Sequence, residues 1–354
     1  MNMMLLEDCC EILDSMRIPI KASDRKEGPY PYYGANGIQD HVADFIFDDE
    51  LVLLAEDGGN FGSRERPIAY RVSGKCWVNN HAHVLKPKND SLDVDYLCYS
   101  LMFYNTAGLV NGATRQKLTQ ATMREMLIPM RSIEEQKHII EMLNRVVEIK
   151  FHRQNELVKL DELIKARFVE MFGSLNDNEK GLDILSIEEL CTLIKDGTHQ
   201  TPIYTDDKQN GVKFLSSKDV MTQKICWDEI KYIPAELHEK LYATIQPIRN
   251  DILMSKNGVN YGVAAVNDTD EIFDIYVSLA LLRPKTDKVN PVYLKCAINN
   301  PDTKCQFDSS IKGIGVPNLH LGEIKKTKIL VPSMDKQNTF VAFIEQVDKS
   351  KVAA

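Results

Sequence analysis

Several features that define other protein classes are missing from this 354-residue chain. No apolar run approaches the roughly 20 residues that a membrane-spanning helix needs, so we expect no membrane contact. The first residues lack the basic start and long apolar core of a secretory signal. The eight cysteines contain no Cys-x-x-Cys pair, which argues against a zinc ribbon or a redox motif. We therefore expect a cytoplasmic protein with reduced, mostly buried thiols and no metal site.

Motifs of nucleotide-using enzymes are also missing. No Gly-rich phosphate loop of the Walker type occurs, which excludes an ATP motor of that kind. No Asn/Asp-Pro-Pro-Tyr/Phe motif occurs, which is the pattern that amino-methyltransferases use. The one close Gly-x-Gly, at Gly313 and Gly315, lacks the strand and helix that flank a cofactor loop. We therefore expect no cofactor in this chain.

Positive charge is scarce, because 43 lysines and arginines stand against 51 aspartates and glutamates, giving a net charge of −8. No domain-sized segment is basic overall. Contact with a polyanion would therefore need a local basic face or charge from a partner. The candidate basic faces are Arg64/Arg66, Lys86/Lys88, Arg115/Lys117, Lys312 and Lys325/Lys326/Lys328.

The chain does contain an internal repeat. Residues 57–62 (DGGNFG) are echoed by residues 257–262 (NGVNYG), an offset of 200. Residues 84–88 are echoed by residues 281–285 at an offset of 197. Further along, Leu118, Met126, Ile128 and Pro129 are matched to Leu321, Ile329, Val331 and Pro332 at an offset of 203. Two copies of one domain predict one task carried out at two places.

A long helix is predicted between the two copies, because residues 133–172 contain neither proline nor glycine. Ser132 is a plausible N-cap with Glu135 at the capping-box spacing, and Gly173 is a plausible stop. A helix of about 36 residues within this stretch would be roughly 54 Å long, with a coiled-coil-like apolar face that needs a partner. A second, shorter amphipathic stretch begins near Phe340. The helix is either a plain linker or a ruler that sets the distance between two binding surfaces.

Three segments resemble the specificity (S) subunit of type I restriction–modification systems. Residues 31–38 with 54–59 resemble one common type of target recognition domain, and residues 128–129 with 133–136 resemble the entry to the family's spacer helix. Residues 160–173 (LDELIKARFVEMFG) resemble the exit of that helix and are the most specific segment. The resemblance covers nearly the whole chain. It departs from the family pattern at the end, where the second spacer helix is about half as long as the first.

This resemblance implies an α/β (α+β) fold with two repeated target recognition domains, residues 1–130 and 174–332. Long antiparallel coiled-coil-like spacer helices, residues 131–173 and 333–354, would separate them, with the second helix shortened. The implied partners are double-stranded DNA, methyltransferase (modification) subunits and restriction subunits. S-adenosylmethionine, ATP and Mg would belong to those partner subunits, and the chain itself would be non-catalytic. The residues predicted to dock the subunits are Leu143, Val147, Leu157, Leu160, Ile164, Phe168, Phe340 and Ile344.

Polar side chains on glycine-rich loops are the candidates for reading DNA, since such loops let the backbone approach a groove and Arg, Lys, Asn and Gln reach base edges. In the first copy they are Tyr32, Tyr33, Asn36, Asn60, Arg64, Asn79, Asn80, His81, Arg115 and Gln116. In the second copy they are Thr198, His199, Thr201, Lys218, Lys256, Asn257, Tyr261, Lys312 and Asn318. Because the frames match and the loops differ, we expect an asymmetric, bipartite target.

Other interpretations of these residues remain open at the level of sequence. Tyr32 and Tyr33 could be strand aromatics, the glycine turns could be simple hairpins, and the histidines at 81 and 83 could be structural. Asp302 with Glu323-Ile324-Lys325 fits the loose Pro-Asp … Glu-x-Lys pattern of metal-dependent nucleases. A scaffold whose repeats bind proteins is the third alternative. Salt-dependent DNA binding would separate the DNA reader from the scaffold.

Overall fold

The structure is a computed structural model that describes residues 2–112, 115–311 and 317–353. It divides into two compact units, Met1–His152 and Arg153–Ala354, and each mixes helices with strands. Within the described residues, no helix combines the length and the apolarity needed to cross a bilayer. None of the cysteines is in a disulfide, and Cys226 and Cys305 are exposed while Cys9, Cys10, Cys76, Cys98 and Cys191 are buried.

The first unit is built around a six-stranded sheet with the order β2-β7-β5-β6-β3-β4. Its central strand β5 ends in a run of buried apolar residues, which places it inside the unit on both faces. A separate antiparallel pair joins β1 to β10. The elements are β1 Asn2–Leu5, α1 Leu6–Cys9, β2 Cys10–Ile12, β3 Tyr30–Gly34, β4 Gly37–Val42, β5 Phe47–Ala55, β6 Ala69–Val78, β7 Ala82–Pro87, α2 Val94–Met102, β8 Val110–Asn111, β9 Lys117–Leu118, α3 Gln120–Arg124, β10 Leu127–Met130 and α4 Ile133–Phe172.

The second unit repeats part of this plan. A four-stranded sheet with the order β12-β18-β15-β16 corresponds to β2-β7-β5-β6, and a three-stranded sheet β14-β13-β17 takes the place of β3 and β4. The pair β11-β19 corresponds to β1-β10. The elements are β11 Asp183–Ser186, α5 Ile187–Leu190, β12 Cys191–Asp196, β13 Val212–Leu215, β14 Lys231–Ile233, α6 Ala235–Tyr242, β15 Ile252–Ser255, β16 Ala264–Val266, β17 Phe273–Ile275, β18 Leu279–Pro284, α7 Pro291–Ile298, α8 Pro301–Ser310, α9 Leu321–Lys326, β19 Lys328–Val331 and α10 Met334–Ala353.

Strand register confirms two of the three repeat offsets and corrects the third. Val52 pairs with Leu85 in the first unit and Ile252 with Leu282 in the second, as offsets of 200 and 197 require. In the terminal pairs, however, Met4 faces Ile128 and Leu185 faces Ile329. At the starts of the matching helices α1 and α5, Leu6 N donates to the Met126 carbonyl and Ile187 N to the Thr327 carbonyl, so residue 126 corresponds to residue 327. The predicted offset of 203 was therefore wrong, and the value is 201.

A buried glutamine marks the start of the long helix in each copy. Gln136 Nε2 donates to the carbonyls of Ser91 and Arg131, and its Oε1 accepts from Asp93 N at 2.8 Å. Gln337 makes the same three bonds at the start of α10, and both glutamines have zero exposure. Because a buried amide satisfied on both ends is costly to displace, each glutamine ties a helix to its own domain.

Helix α4 has the bounds that its capping residues predicted. Ser132 N donates to Glu135 Oε2 at 3.0 Å and Glu135 N donates to Ser132 Oγ at 3.3 Å, which is the reciprocal capping box. Gly173, with φ of +75°, follows the last turn, and its N–H donates to the Val169 carbonyl. The first turns pack Ile139 and Ile140 on the first core. Residues 144–156 are all exposed.

The last turns of α4 and the helix α10 enclose an aromatic cluster in the second unit. The rings of Phe168 and Phe172 contact those of Tyr293 and Phe340, with centroids 5.1 to 5.7 Å apart. Nearer the end of α10, Lys351 Nζ lies 2.7 Å from Asp161 Oδ1. Since residue numbers rise along α10 as they fall along α4, the two helices pack antiparallel here.

Candidate nucleic-acid interface

The same backbone arrangement lies beyond strand β5 in the first unit and beyond β15 in the second. In the first, Leu118 N donates to the Glu56 carbonyl at 2.7 Å, and Gly58 N donates to the Gln116 carbonyl at 3.3 Å. In the second, Leu319 N donates to the Lys256 carbonyl at 2.8 Å and Gly258 N to the Pro317 carbonyl at 3.1 Å. We call residues 56–60 with 115–118 the first platform, and residues 256–260 with 317–319 the second platform.

Glycine is required at matching points of both platforms. Gly58 and Gly62 have φ of +61° and +77°, and Gly258 and Gly262 have φ of +85° and +87°. These left-handed conformations are open to glycine and strained for most other residues. The turns are thus part of one repeated backbone design rather than unrelated hairpins.

On the first platform, the structure brings five of the predicted reading residues together around Asp57 and Gly58. Asp57 Oδ1 lies 2.5 Å from Arg115 Nη2 and 2.8 Å from His81 Nδ1. Asn36 Nδ2 donates to the Gly58 carbonyl at 3.0 Å, and Asn60 Nδ2 donates to Asn36 Oδ1 at 3.2 Å. The fifth, Gln116, is exposed and reaches the group through its backbone carbonyl. The Arg115 side chain is 60% exposed, so its remaining donors can reach a ligand.

Two residues predicted to read DNA in the first copy are buried by long-range partners, so the structure does not place them at the surface. Tyr32 is 1% exposed, and its hydroxyl accepts from Ile20 N at 3.0 Å beneath the guanidinium of Arg25. Asn79 is 3% exposed, donates to Gln39 Oε1 and accepts from His81 N. Both support the surface from below. The remaining candidates of this copy are at the surface, with Arg64 and Asn80 exposed and Tyr33 half-buried.

On the second platform, Asn257 forms an antiparallel bridge with Asn318, which is exposed. Thr198 bridges Tyr276, and Thr201 Oγ1 lies 3.4 Å from the Tyr276 hydroxyl. His199 and Lys218 are exposed, with Lys218 Nζ donating to the Glu229 carbonyl at 3.4 Å. The predicted residue Lys312 lies outside the described residues.

Two residues predicted to read DNA in the second copy are likewise buried. Lys256 is 5% exposed because its ammonium lies 2.6 Å from Asp196 Oδ1. Tyr261 is 9% exposed, its hydroxyl donates to Asp308 Oδ1 at 2.5 Å, and the ammonium of Lys304 lies 3.7 Å from its ring centroid. Both residues contribute to the interior of the unit rather than to its surface.

Burial also divides the residues predicted to dock partner subunits. Phe168, Phe340 and Ile344 are buried in the second core, and Ile164 packs against that core. The apolar surface of these four residues is therefore largely used within the chain, and their role in docking stays a prediction. Val147 is exposed, and Leu143, Leu157 and Leu160 are half-buried.

Sequence reasoning missed two sets of residues at the platforms. Asp57, which joins Arg115 to His81, was noted as part of a turn and not as a site residue. At the tip of the second turn, Val259 is 87% exposed and stands beside exposed Asn260. Their positions in the repeated glycine turn were the sequence signal that could have identified them as site residues.

Beneath the first platform lies a buried ionic network. Asp14 Oδ2 is 2.6 Å from His83 Nδ1, and Asp14 Oδ1 accepts from Val84 N at 2.9 Å. Arg17 Nη1 is 2.6 Å from Glu56 Oε2, and Arg17 Nη2 is 3.3 Å from Asp14 Oδ2. Burial opposes ionisation of Asp14, but the hydrogen bonds and positive charges of His83, Val84 and Arg17 outweigh it. The pKa of Asp14 is therefore lowered from its ordinary value.

Asp14, Glu56 and His83 also form the group of potential metal ligands that lie within 4.8 Å of one another among the described residues. The contacts do not fit an ion, because the 2.6 Å between Asp14 and His83 is a hydrogen-bond distance with no room for a metal at about 2 Å from each. Arg17 and Lys117 already neutralise Glu56 at 2.6 and 3.0 Å. The group is an ion-pair network.

Asp14→Asn tests this network through the pH dependence of stability. Since the folded-state pKa is below the unfolded value of about 3.9, the carboxylate stabilises the fold above that pH and loses the effect as the pH falls through the folded pKa. We expect the substitution to cost about 3 kcal/mol at pH 7, because it leaves buried cations without their partner. Thermal unfolding of the full chain from pH 3 to pH 7 measures this, and the difference from wild type should shrink below pH 4.

Asp40→Asn is the matched control. Asp40 pairs with Arg25 at 3.2 Å, but its side chain is 44% exposed, so solvent screens the pair and we expect a much smaller loss of stability than for Asp14→Asn. A loss for Asp14→Asn that is equal at pH 3 and pH 7 would show that the carboxylate charge does not stabilise the network.

The residues of the nuclease pattern serve other purposes. Asp302 accepts from Ser174 Oγ at 3.0 Å and from Leu175 N at 2.8 Å, which ties α8 to the segment after α4. Lys325 pairs with Glu188 at 3.2 Å. These contacts account for both side chains within the fold. Neither this geometry nor the similarity to known proteins supports the nuclease alternative.

The fold contains two copies of one domain, and each copy carries a polar platform built on a glycine turn. The type I restriction modification DNA specificity domain profile matches residues 1–160 and 179–353, so the chain belongs to that family. It is 37% identical over 139 residues to a candidate type I restriction enzyme specificity subunit of Haemophilus influenzae, an alignment that spans 39% of this chain and 35% of that protein. It is 20% identical to the specificity subunit of the type I restriction enzyme MjaVIII of Methanocaldococcus jannaschii, covering 96% of this chain and 84% of that one.

Solved structures share the fold. An S subunit of a type I restriction–modification system from M. genitalium superposes with a TM-score of 0.54 at 12% identity, covering 99% of this chain and 90% of that chain. A chain from a study of complex assembly and conformational transition of a type I system gives a TM-score of 0.53 at 16% identity, covering 99% and 91%. These matches confirm the predicted fold class, with two recognition domains and a long helix.

Proposed function

We propose that this chain is the DNA sequence-recognition subunit of a type I restriction–modification complex, and that each platform reads one half of an asymmetric bipartite target. One observation carries the proposal. The two platforms share a backbone and its glycines, but the first presents Gln116, Lys117 and Gly59 at the positions where the second presents Pro317, Asn318 and Val259. Recognition of two different half-sites requires different exposed side chains, and here they are carried on the same backbone arrangement.

The chemistry of the complex resides in its partners. The chain binds methyltransferase subunits through the exposed stretch of α4 near Val147, and restriction subunits join that core. S-adenosylmethionine, ATP and Mg bind in those partner subunits, and base flipping and methyl transfer take place there. The recognition subunit supplies sequence reading and register.

Residues 1–130 and 174–332 act as the two target recognition domains, and residues 131–173 and 333–354 act as spacer helices. The charge distribution supports a division of roles, in which the platforms read the sequence while local basic faces and partner subunits supply much of the affinity for phosphate. Several cations are neutralised within the chain, including Lys86 by Asp49 and Lys328 by Glu189. Because the net charge is −8, much of the phosphate attraction comes from local faces and from partner subunits.

Arg115→Ala tests the reading role of the first platform. Arginine can bond guanine through two donors, and the loss of such a pair costs about 1–3 kcal/mol of discrimination. We expect the variant, bound with its methyltransferase subunits, to tolerate changes in the half-site read by the first platform while still rejecting changes in the other. The measurement is gel shift of duplexes altered in either half-site, repeated over a range of salt concentrations. The target sequence comes from mapping methylated bases in cells that carry the complex.

Arg124→Ala is the control, since Arg124 lies in the same unit and pairs with Glu7 at 3.5 Å. If Arg115 touched phosphate alone, affinity would fall for every sequence and the salt slope would drop by about one. An equal loss of discrimination at both half-sites would contradict the division of labour. A wild-type complex whose affinity for duplex is insensitive to salt would point to the protein scaffold instead.

A further inference from the structure

An aspartate below each platform is equivalent in the two copies, and it is buried in the first (Asp14) and half-buried in the second (Asp196). In the first unit Ile12 pairs with Leu85, and in the second Ile194 pairs with Leu282. Since residues 85 and 282 correspond in the repeat, residues 12 and 194 do too, and two positions further on lie Asp14 and Asp196. The offset of 182 is not visible in the sequence because β12 carries a bulge between Cys191 and Leu193.

The same register aligns the cations around each aspartate. Leu54 pairs with His83 in the first unit and Met254 with Ala280 in the second, so Ala280 stands in the position of His83. By the same offset of 200, Lys256 stands in the position of Glu56. Three residues after each aspartate come Arg17 and His199, at 3.3 and 3.6 Å from it.

The two copies therefore neutralise the equivalent aspartates, Asp14 and Asp196, with different cations. Asp14 contacts His83 at 2.6 Å, and Arg17 lies between Asp14 and Glu56. Asp196 contacts Lys256 at 2.6 Å, in the place where the first copy has a carboxylate. The side chains around each aspartate, at positions 17, 56 and 83 in the first copy and 199, 256 and 280 in the second, balance its charge in different ways. We therefore expect the three positions to be exchangeable between the copies only together.

Each cation connects its aspartate to the platform above. His83 has no exposed surface, and its Nε2 donates to the Leu118 carbonyl at 2.9 Å, next to Arg115, Gln116 and Lys117. Gln120 Nε2 donates to Asp14 Oδ2 at 3.0 Å from the other side of that segment. In the second copy Lys256 is itself a platform residue, and its carbonyl accepts from Leu319 N.

We propose that Asp14 and Asp196 are positioning residues for DNA reading, each holding its own platform through a different counter-ion. Asp14 sets the segment that presents Arg115 and Gln116, and Asp196 sets the turn that presents Asn257 and Val259. Neither aspartate contacts DNA. This rests on the proposed function, because it assigns the means by which each reader is held in shape.

The test uses the full chain with its methyltransferase subunits and duplexes that carry the mapped target, with either half-site scrambled. We expect Asp14→Asn to weaken reading of the first half-site about tenfold and to leave the second within twofold. Asp196→Asn should do the reverse. A purely structural role would instead lower the fraction of folded complex and reduce binding to both half-sites and to random duplex alike.

Exchange of the counter-ions supplies the decisive variant. His83→Ala alone should weaken the first half-site about tenfold, whereas the triple variant R17H/E56K/H83A installs the second copy's set and should recover reading to within about threefold of wild type. The reciprocal variant H199R/K256E/A280H should likewise outperform Lys256→Glu alone at the second half-site.

Two outcomes would overturn the proposal. One is a triple variant no better than His83→Ala although its thermal unfolding matches wild type. The other is Asp14→Asn and Asp196→Asn affecting both half-sites equally. A wild-type complex with no preference for the mapped target over scrambled duplex would instead refute the proposed function, which keeps the two failures distinct.

Discussion

Replacing Phe340 by alanine is expected to cost about 3–5 kcal/mol of unfolding free energy in the second unit. Phe340 has no exposed surface, and its ring lies 5.4 Å from that of Phe172 and 5.5 Å from that of Phe168. Its removal deletes the aromatic contact that joins α10 to the last turns of α4 and leaves a cavity among the three remaining rings, those of Phe168, Phe172 and Tyr293. Chemical denaturation of the full chain, followed by circular dichroism, measures the loss.

Phe151→Ala is the matched control, because it is the same substitution on α4 at a side chain that is 62% exposed. We expect it to change stability by less than about 0.5 kcal/mol. Equal effects of the two substitutions would mean that the aromatic cluster does not hold α10 in place.

Removing residues 150–156 from α4, which leaves Val147 in place, is expected to change the preferred spacing between the half-sites and leave the half-site sequences intact. Seven residues are about two turns and shorten a helix by about 10.5 Å, which matches about three base pairs. The two parts of the helix that flank the deletion keep their relative rotation about the helix axis to within about 20°. Every residue removed is exposed, so neither core loses a buried contact.

The measurement is the methylation pattern of cells that carry the shortened chain with its partner subunits, compared with the wild-type pattern. The double substitution E148A/K150A keeps the helix length and is the control, for which the spacing should not change. An unaltered spacing in the deletion would show that the helix is a linker without a measuring role. Altered half-site sequences would contradict the assignment of reading to the platforms.

The central helix could be predicted to the residue because its signals are local. Ser132 and Glu135 cap the start through neighbouring groups, and Gly173 supplies the left-handed residue at the end. The offsets of 200 and 197 were equally accessible, since the glycines and the proline that mark them have backbone requirements of their own.

The predicted offset of 203 was wrong because of the periodicity of β-strands. Side chains alternate with a period of two, so a match displaced by two residues keeps every apolar residue on the same face. Composition therefore could not distinguish an offset of 203 from one of 201. The matching hydrogen bonds at the starts of α1 and α5 decide it.

Taken alone, the chain of residues determined the duplication, the caps of the long helix and the exposed polar turns, because these depend on neighbours within a few positions. Only the tertiary structure decided which polar residues face solvent. Lys256 and Arg115 are both cations on a glycine turn, yet one meets Asp196 in the interior and the other points outward beside Asp57. Burial of a charge depends on a partner from a distant segment, and no local pattern encodes that meeting.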